Sequence, residues 1–212
     1  MLIALDYPTA LSVELEAEKT LLLIIDMENE NAHPDGALYI GDPVRKIIPR
    51  IRDLREKVRQ AGGRIIYTQS VRSPEALEFT LFKNTVRKLE GSWGAGLIEE
   101  LKPAAYEPLI VKHTHDCFYR TKMDSLLEQI GMRPGEGHVI VTGISTRNCV
   151  QSAVMAFSVR DFHVYVPMDC TAQKDEKEVL QAFSLFTSFG YRHNVTMTRS
   201  DLIRISRLES GA

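Results

Sequence analysis

Six short runs of apolar, largely β-branched residues punctuate the chain, and their spacing restricts the fold more than any other feature. They are LLLII at 21–25, RIIYT at 64–68, PLIVK at 108–112, HVIVT at 138–142, HVYVP at 163–167 and NVTMT at 194–198. Each has the length and continuous hydrophobicity of a strand covered on both faces. Between them lie segments of helical period. Asp42-Pro43 opens one, with Ile47, Ile51, Leu54 and Val58 on one face and Gly62-Gly63 closing it. Pro49 requires that helix to begin a turn late or to kink. Thr121, with Asp124 three residues on, caps a second helix running to Gly131. Val150, Ala153, Val154 and Phe157 mark a third; Val179, Ala182, Phe183 and Phe186 mark a fourth before Gly190.

Strands alternating with helices build βαβ units, so the expected fold is α/β, a three-layer α/β/α sandwich on a mainly parallel six-stranded sheet. At 212 residues the chain suits a single domain over 1–212, with 1–20 as an N-terminal arm. The stretch 69–107, with GSWGAG at 91–96, reads as a long excursion over the sheet edge.

Twenty-six basic residues against 28 acidic ones leave a formal charge of −2, which offers no basic surface to a nucleic acid. The apolar runs are too short to span a membrane, and the acidic start MLIALDYPTALSVELEAEKT is unlike an export signal. Three cysteines form no disulfide framework or zinc knuckle, so the expected setting is the reducing cytoplasm.

In an open parallel sheet the strand ends that carry chemistry lie on one rim. Asp26 follows LLLII, Lys112 ends PLIVK, and Cys149 lies seven residues beyond HVIVT at the start of the third helix. A carboxylate, an amine and a thiol thus reach one edge. The helix N-terminus and Lys112 are expected to stabilise a Cys149 thiolate, while Asp26 takes the thiol proton and returns it to a departing amine. Gly143 in GISTRN permits a tight turn, after which the Ser145 and Cys149 N–H groups can face an oxyanion. Taken singly, these residues could instead be a turn, a solvated amine and a core thiol.

LLLIIDMENEN, VKHTHDCFYRTKMDSLL and, most specifically, VTGISTRNCVQSAVMAFSVRDFHVYVPMDCTA resemble the isochorismatase-like cysteine hydrolases over roughly residues 20–200. That superfamily includes nicotinamidase, N-carbamoylsarcosine amidohydrolase, and ureidoacrylate and biuret hydrolases. The resemblance implies an Asp26, Lys112, Cys149 triad, a cis Ile144-Ser145 peptide that lets the Ser145 N–H join that of Cys149 in an oxyanion hole, aromatic pocket walls near the cysteine, and a homo-oligomer. Two departures choose a branch. Nicotinamidases carry an Asp-x-His metal pair after the second strand, where this chain reads YTQSVRSPEALEF with no histidine, so no metal and no other cofactor is expected. Isochorismatases proper lack the nucleophilic cysteine. The expected activity is therefore metal-independent C–N hydrolysis of a small amide, carbamoyl or ureido compound. The alternatives are vinyl-ether hydrolysis and a non-catalytic binding module.

Other residues divide between pocket and packing. Trp93 and Phe118 are candidate pocket walls. Asn29, with Glu28, either lines the pocket or satisfies the turn after Asp26. Gln173 and Lys174 could clamp a substrate carboxylate or carbonyl, or belong to an ordinary loop before a helix capped by Asp175. His113 and His115 share a strand face and could pair on a metal, although no further ligand cluster completes such a site. Cys117 and Cys170 read as structural.

Overall fold

A computed structural model describes residues 6–72 and 88–207. Strands β2 (Thr20–Ile25), β3 (Arg64–Ser70), β4 (Leu109–Lys112), β5 (His138–Ile144), β6 (His163–Pro167) and β8 (Val195–Thr198) form the sheet foreseen from the apolar runs. Their order is β4-β3-β2-β5-β6-β8, and every pairing is parallel. The sheet is seven-stranded rather than six-stranded, because the two-residue β7 (Thr171–Ala172) pairs with the end of β5. So short a strand has no pattern to read. The N-terminal arm also enters the fold: β1 (Val13–Glu16) pairs in parallel with β9 (Ile203–Ser206) as a separate ribbon.

Alternation along β2 assigns the two faces. Leu21, Leu23 and Ile25 join one core with residues of α3 (Met123–Gln129), α4 (Gln151–Ser158) and α5 (Glu176–Phe186). Leu22 and Ile24 join the other with Ala32 of the short α1 (Asn29–Ala32), α2 (Asp42–Ala61) and Leu97, Ile98 and Leu101. Complete burial of β2 explains its unbroken apolar run. The result is a three-layer α/β/α sandwich.

The helix α2 begins at Asp42 and continues through Pro49. Pro49 lies on its exposed side, where water can satisfy the Arg45 carbonyl that loses its helical partner. Thr121 stands one residue before the cap position of α3, yet its hydroxyl accepts from the Met123 N–H at 3.1 Å. Asp175 caps α5 by accepting from the Lys177 N–H at 2.9 Å. Residues 73–87 of the expected excursion lie outside the described residues. The part beyond them folds back over the end of β2: the Ile98 N–H donates to Met27 O and the Asn29 N–H to Gly96 O, at 2.9 and 2.8 Å.

Candidate active site

The rim is assembled at the C-terminal ends of β2, β4 and β5. Asp26 leaves β2 with φ 52°, a left-handed conformation that Asp tolerates better than most residues. Its N–H still donates to Thr68 O at 3.2 Å, and the Thr68 hydroxyl donates to Asp26 Oδ1 at 2.6 Å. One strand over, Gly143 pairs with Ile25 at φ 107°. A Cβ there would stand 2.1 Å from the Ile25 carbonyl oxygen, so only glycine lets β5 pass this close to β2. The cis Ile144-Ser145 peptide follows. The chain then enters a widened turn, Thr146–Val150, in which the Val150 N–H donates to Ser145 O at 3.3 Å, before α4 begins. Cys149 sits within that turn.

Lys112 closes the arrangement from β4, two strands from Asp26 in the sheet order. Two strand spacings are about 10 Å, a gap that a long aliphatic stem can cross. Its ammonium lies 2.7 Å from Asp26 Oδ2 and donates to Cys149 Sγ at 3.3 Å and to Thr114 O at 3.0 Å. A carboxylate, a sulfur and a carbonyl thus surround the ammonium. Asp26, Lys112 and Cys149 are all buried, and the structure brings the three residues read from the rim argument into contact.

Electrostatics differ from the expectation at the sulfur. Burial and the Asp26 charge push the Cys149 thiol up to about 12, and Lys112 offsets only part of this. Cys149 therefore rests as a neutral thiol, not a thiolate. Burial pushes the Asp26 carboxyl up, but the charges of Lys112 and Lys88, with hydrogen bonds from Cys149 and Lys112, outweigh it and hold the group below its ordinary value. Burial opposes the Lys112 charge as well, and Asp26 and Cys149 more than compensate, keeping it above the usual lysine range. An ionised carboxylate thus faces a protonated thiol, the starting state for proton transfer between them.

Two neighbours make contacts that the sequence did not assign to them. His115, weighed only as half of a metal pair, has Nδ1 3.4 Å from Cys149 Sγ. His113 instead has Nδ1 2.9 Å from Val71 O, so the two rings serve different partners. Glu28 is fully buried beside Asp26. Its Oε2 lies 2.7 Å from Lys88 Nζ, its Oε1 accepts from the Ser70 N–H, and burial with the Asp26 charge pushes it up to about 8. The signal for His115 was its place three residues past Lys112, where the chain turns along the rim.

The remaining candidates separate. Asn29 donates through Nδ2 to Trp93 O at 2.9 Å, and both residues line a groove of about 800 Å³ that none of the triad residues lines. Trp93 is exposed, with its ring edge-on to His33. Phe118 is buried in the same core cluster as Cys149: it meets Phe157 edge to face at 4.9 Å, with the Arg160 guanidinium 3.7 Å above its ring. Gln173 braces the cysteine turn, accepting from the Arg147 N–H at 3.4 Å and donating to Glu178 Oε2 at 2.6 Å. Lys174 is exposed. The Ser145 N–H has no acceptor among the described residues. Cys117 and Cys170 are buried, free and pushed well above the usual thiol range, chiefly by burial.

A parallel sheet that gathers a carboxylate, an ammonium and a thiol at one rim suits acyl transfer, and comparison with known proteins gives the class, a hydrolase family. The Isochorismatase domain family matches residues 20–199, and the chain belongs to that family. It is 28% identical over 163 residues to the uncharacterized isochorismatase family protein YaaI of Bacillus subtilis, covering 77% of this chain and 85% of that one. It is 27% identical over 204 residues to the ureidoacrylate amidohydrolase RutB of Caulobacter segnis, covering 84% of each. A cysteine hydrolase from Pseudomonas syringae shares the fold with TM-score 0.79 at 19% identity, over 92% of this chain and 94% of that one. The protein is an isochorismatase-family hydrolase. Among the described residues no helix is long and apolar enough to cross a membrane.

Proposed function

We propose that this hydrolase is a metal-independent cysteine amidohydrolase, cleaving the C–N bond of a small linear amide, carbamoyl or ureido compound and working in the cytoplasm. One observation carries the reading: a single buried ammonium touches both the Asp26 carboxylate and the Cys149 sulfur. Asp26 accepts the thiol proton as sulfur attacks the carbonyl, and Lys112 offsets the charge that develops on sulfur. The oxyanion is held by the Ser145 and Cys149 N–H groups. Asp26 then protonates the departing ammonia or amine, leaving a thioester that water hydrolyses. A pocket without a metal orients its ligand by hydrogen bonds, which suits a ureido group rich in donors and acceptors. The likeness to an amidohydrolase of a ureido acid supports the same class.

The test is ammonia release across a panel of small amides, carbamoyl and ureido compounds, with nicotinamide and isochorismate included, before and after prolonged chelation. Turnover of a linear carbamoyl or ureido compound that survives chelation is expected, with nicotinamide a poor substrate. Pyruvate release from isochorismate alone, activity that needs added metal, or no turnover of any compound would each overturn the reading.

A further inference from the structure

We propose that His115 is a catalytic residue, the base that activates the water hydrolysing the Cys149 thioester. The inference rests on the thioester route above and extends it to a residue that route does not use. Among the described residues three side chains approach the sulfur. Asp26 and Lys112 are buried, whereas His115 is exposed and has Nδ1 3.4 Å from Cys149 Sγ. His115 therefore joins the nucleophile to the solvent that must supply the second reactant.

The surrounding loop holds the ring there. The Thr114 carbonyl accepts from Lys112 Nζ at 3.0 Å, the Thr114 hydroxyl accepts from the Asp116 N–H at 3.2 Å, and Asp116 Oδ1 accepts from the Phe118 N–H at 2.8 Å. These side-chain to backbone bonds on both sides of His115 fix the turn that carries it. His113 cannot substitute, since its Nδ1 faces Val71 O.

The chemistry of the second half-reaction calls for such a group. Once Asp26 has given its proton to the leaving amine it is a carboxylate beside the Lys112 and Lys88 charges, which makes it a weak base toward water. A neutral imidazole is a stronger base near neutral pH. His115 Nδ1 takes a proton from water as its oxygen bonds to the thioester carbonyl carbon. The tetrahedral intermediate collapses with cleavage of the C–S bond, the electron pair goes to sulfur, and Nδ1 returns the proton to form the Cys149 thiol. The balance is thioester plus water giving carboxylic acid plus thiol, with no further reactant.

p-Nitrophenyl acetate separates the two halves because its acylation step needs no proton on the leaving group. Intact-protein mass would follow the acetyl group on Cys149 in the wild type, His115→Ala and His115→Gln, with unfolding curves recorded for each. Both variants are expected to accumulate the acetyl adduct and lose it roughly 10²- to 10⁴-fold more slowly than the wild type. Added imidazole should restore part of the rate in His115→Ala, and the loss in kcat should exceed the loss in kcat/KM. Adduct decay at the wild-type rate in both variants, or slow decay that imidazole leaves untouched, overturns the role of His115 alone. Absence of any adduct on Cys149 in the wild type and in both variants overturns the thioester route together with this inference.

Discussion

Replacing Gly143 by Ala tests whether the close passage of β5 against β2 builds the rim. The new Cβ would lie 2.1 Å from Ile25 O and 2.7 Å from Ile25 N, both backbone atoms of the central strand. Ordinary contact needs well over an ångström more, and no side-chain rotation can supply it. The strands must part where Ile25 pairs with Gly143, one residue before Asp26 and two before Ser145. A non-glycine residue at φ 107° costs about 1–3 kcal/mol. Overpacking at a buried contact adds about 1–3 kcal/mol. The sum, about 2–6 kcal/mol, is a large part of the 5–15 kcal/mol typical of a whole domain. Urea unfolding followed by circular dichroism should show that loss, and any folded fraction at low temperature should be nearly inactive because Asp26 and the cysteine turn have separated. A variant within about 0.5 kcal/mol of wild type, the scatter of an innocuous surface change, would refute the reasoning.

Three other changes follow from the same geometry. Asp26→Asn should cut turnover by roughly 10²- to 10⁴-fold in protein that remains folded by near-ultraviolet circular dichroism, and normal kinetics would move the base elsewhere. Glu28, pushed up to about 8 from 4.5, binds its proton more tightly folded than unfolded, so its stabilising contribution is full below pH 4.5 and lost as pH rises through about 8. Glu28→Gln, which mimics the protonated group, should therefore gain stability relative to wild type across that window, and a difference independent of pH would contradict it. Leu109 and Val111 on the edge strand β4, with Tyr106 and Tyr119 nearby in sequence, are exposed, and light scattering should find a homo-oligomer at micromolar concentration; a monomeric mass would count against it.

The fold was legible where burial leaves a continuous signal. β2 is covered on both faces and reads as LLLII, and parallel order follows from the helices between the strands. That order alone placed Asp26, Lys112 and Cys149 on one rim, although 86 residues separate the first from the second and 37 the second from the third. Features governed by packing rather than pattern stayed hidden. Phe118 looks the same in sequence whether it walls a pocket or lies under the Arg160 guanidinium. The protonation of Cys149 depends on how far burial outweighs Lys112, and no motif encodes that balance. The contact between His115 and the sulfur comes from a turn fixed by Thr114 and Asp116, where strand periodicity no longer applies.

The central claim is that a buried, protonated Cys149 becomes the acyl carrier during turnover. Rapid-quench intact-mass analysis with the best substrate of the amide and ureido panel, followed by peptide mapping, tests it most directly. The account predicts a transient adduct of the acyl mass on Cys149, no adduct and no ammonia from Cys149→Ala, and adduct formation with turnover largely retained in Cys117→Ala and Cys170→Ala. Ammonia release by Cys149→Ala at a rate near wild type would contradict it.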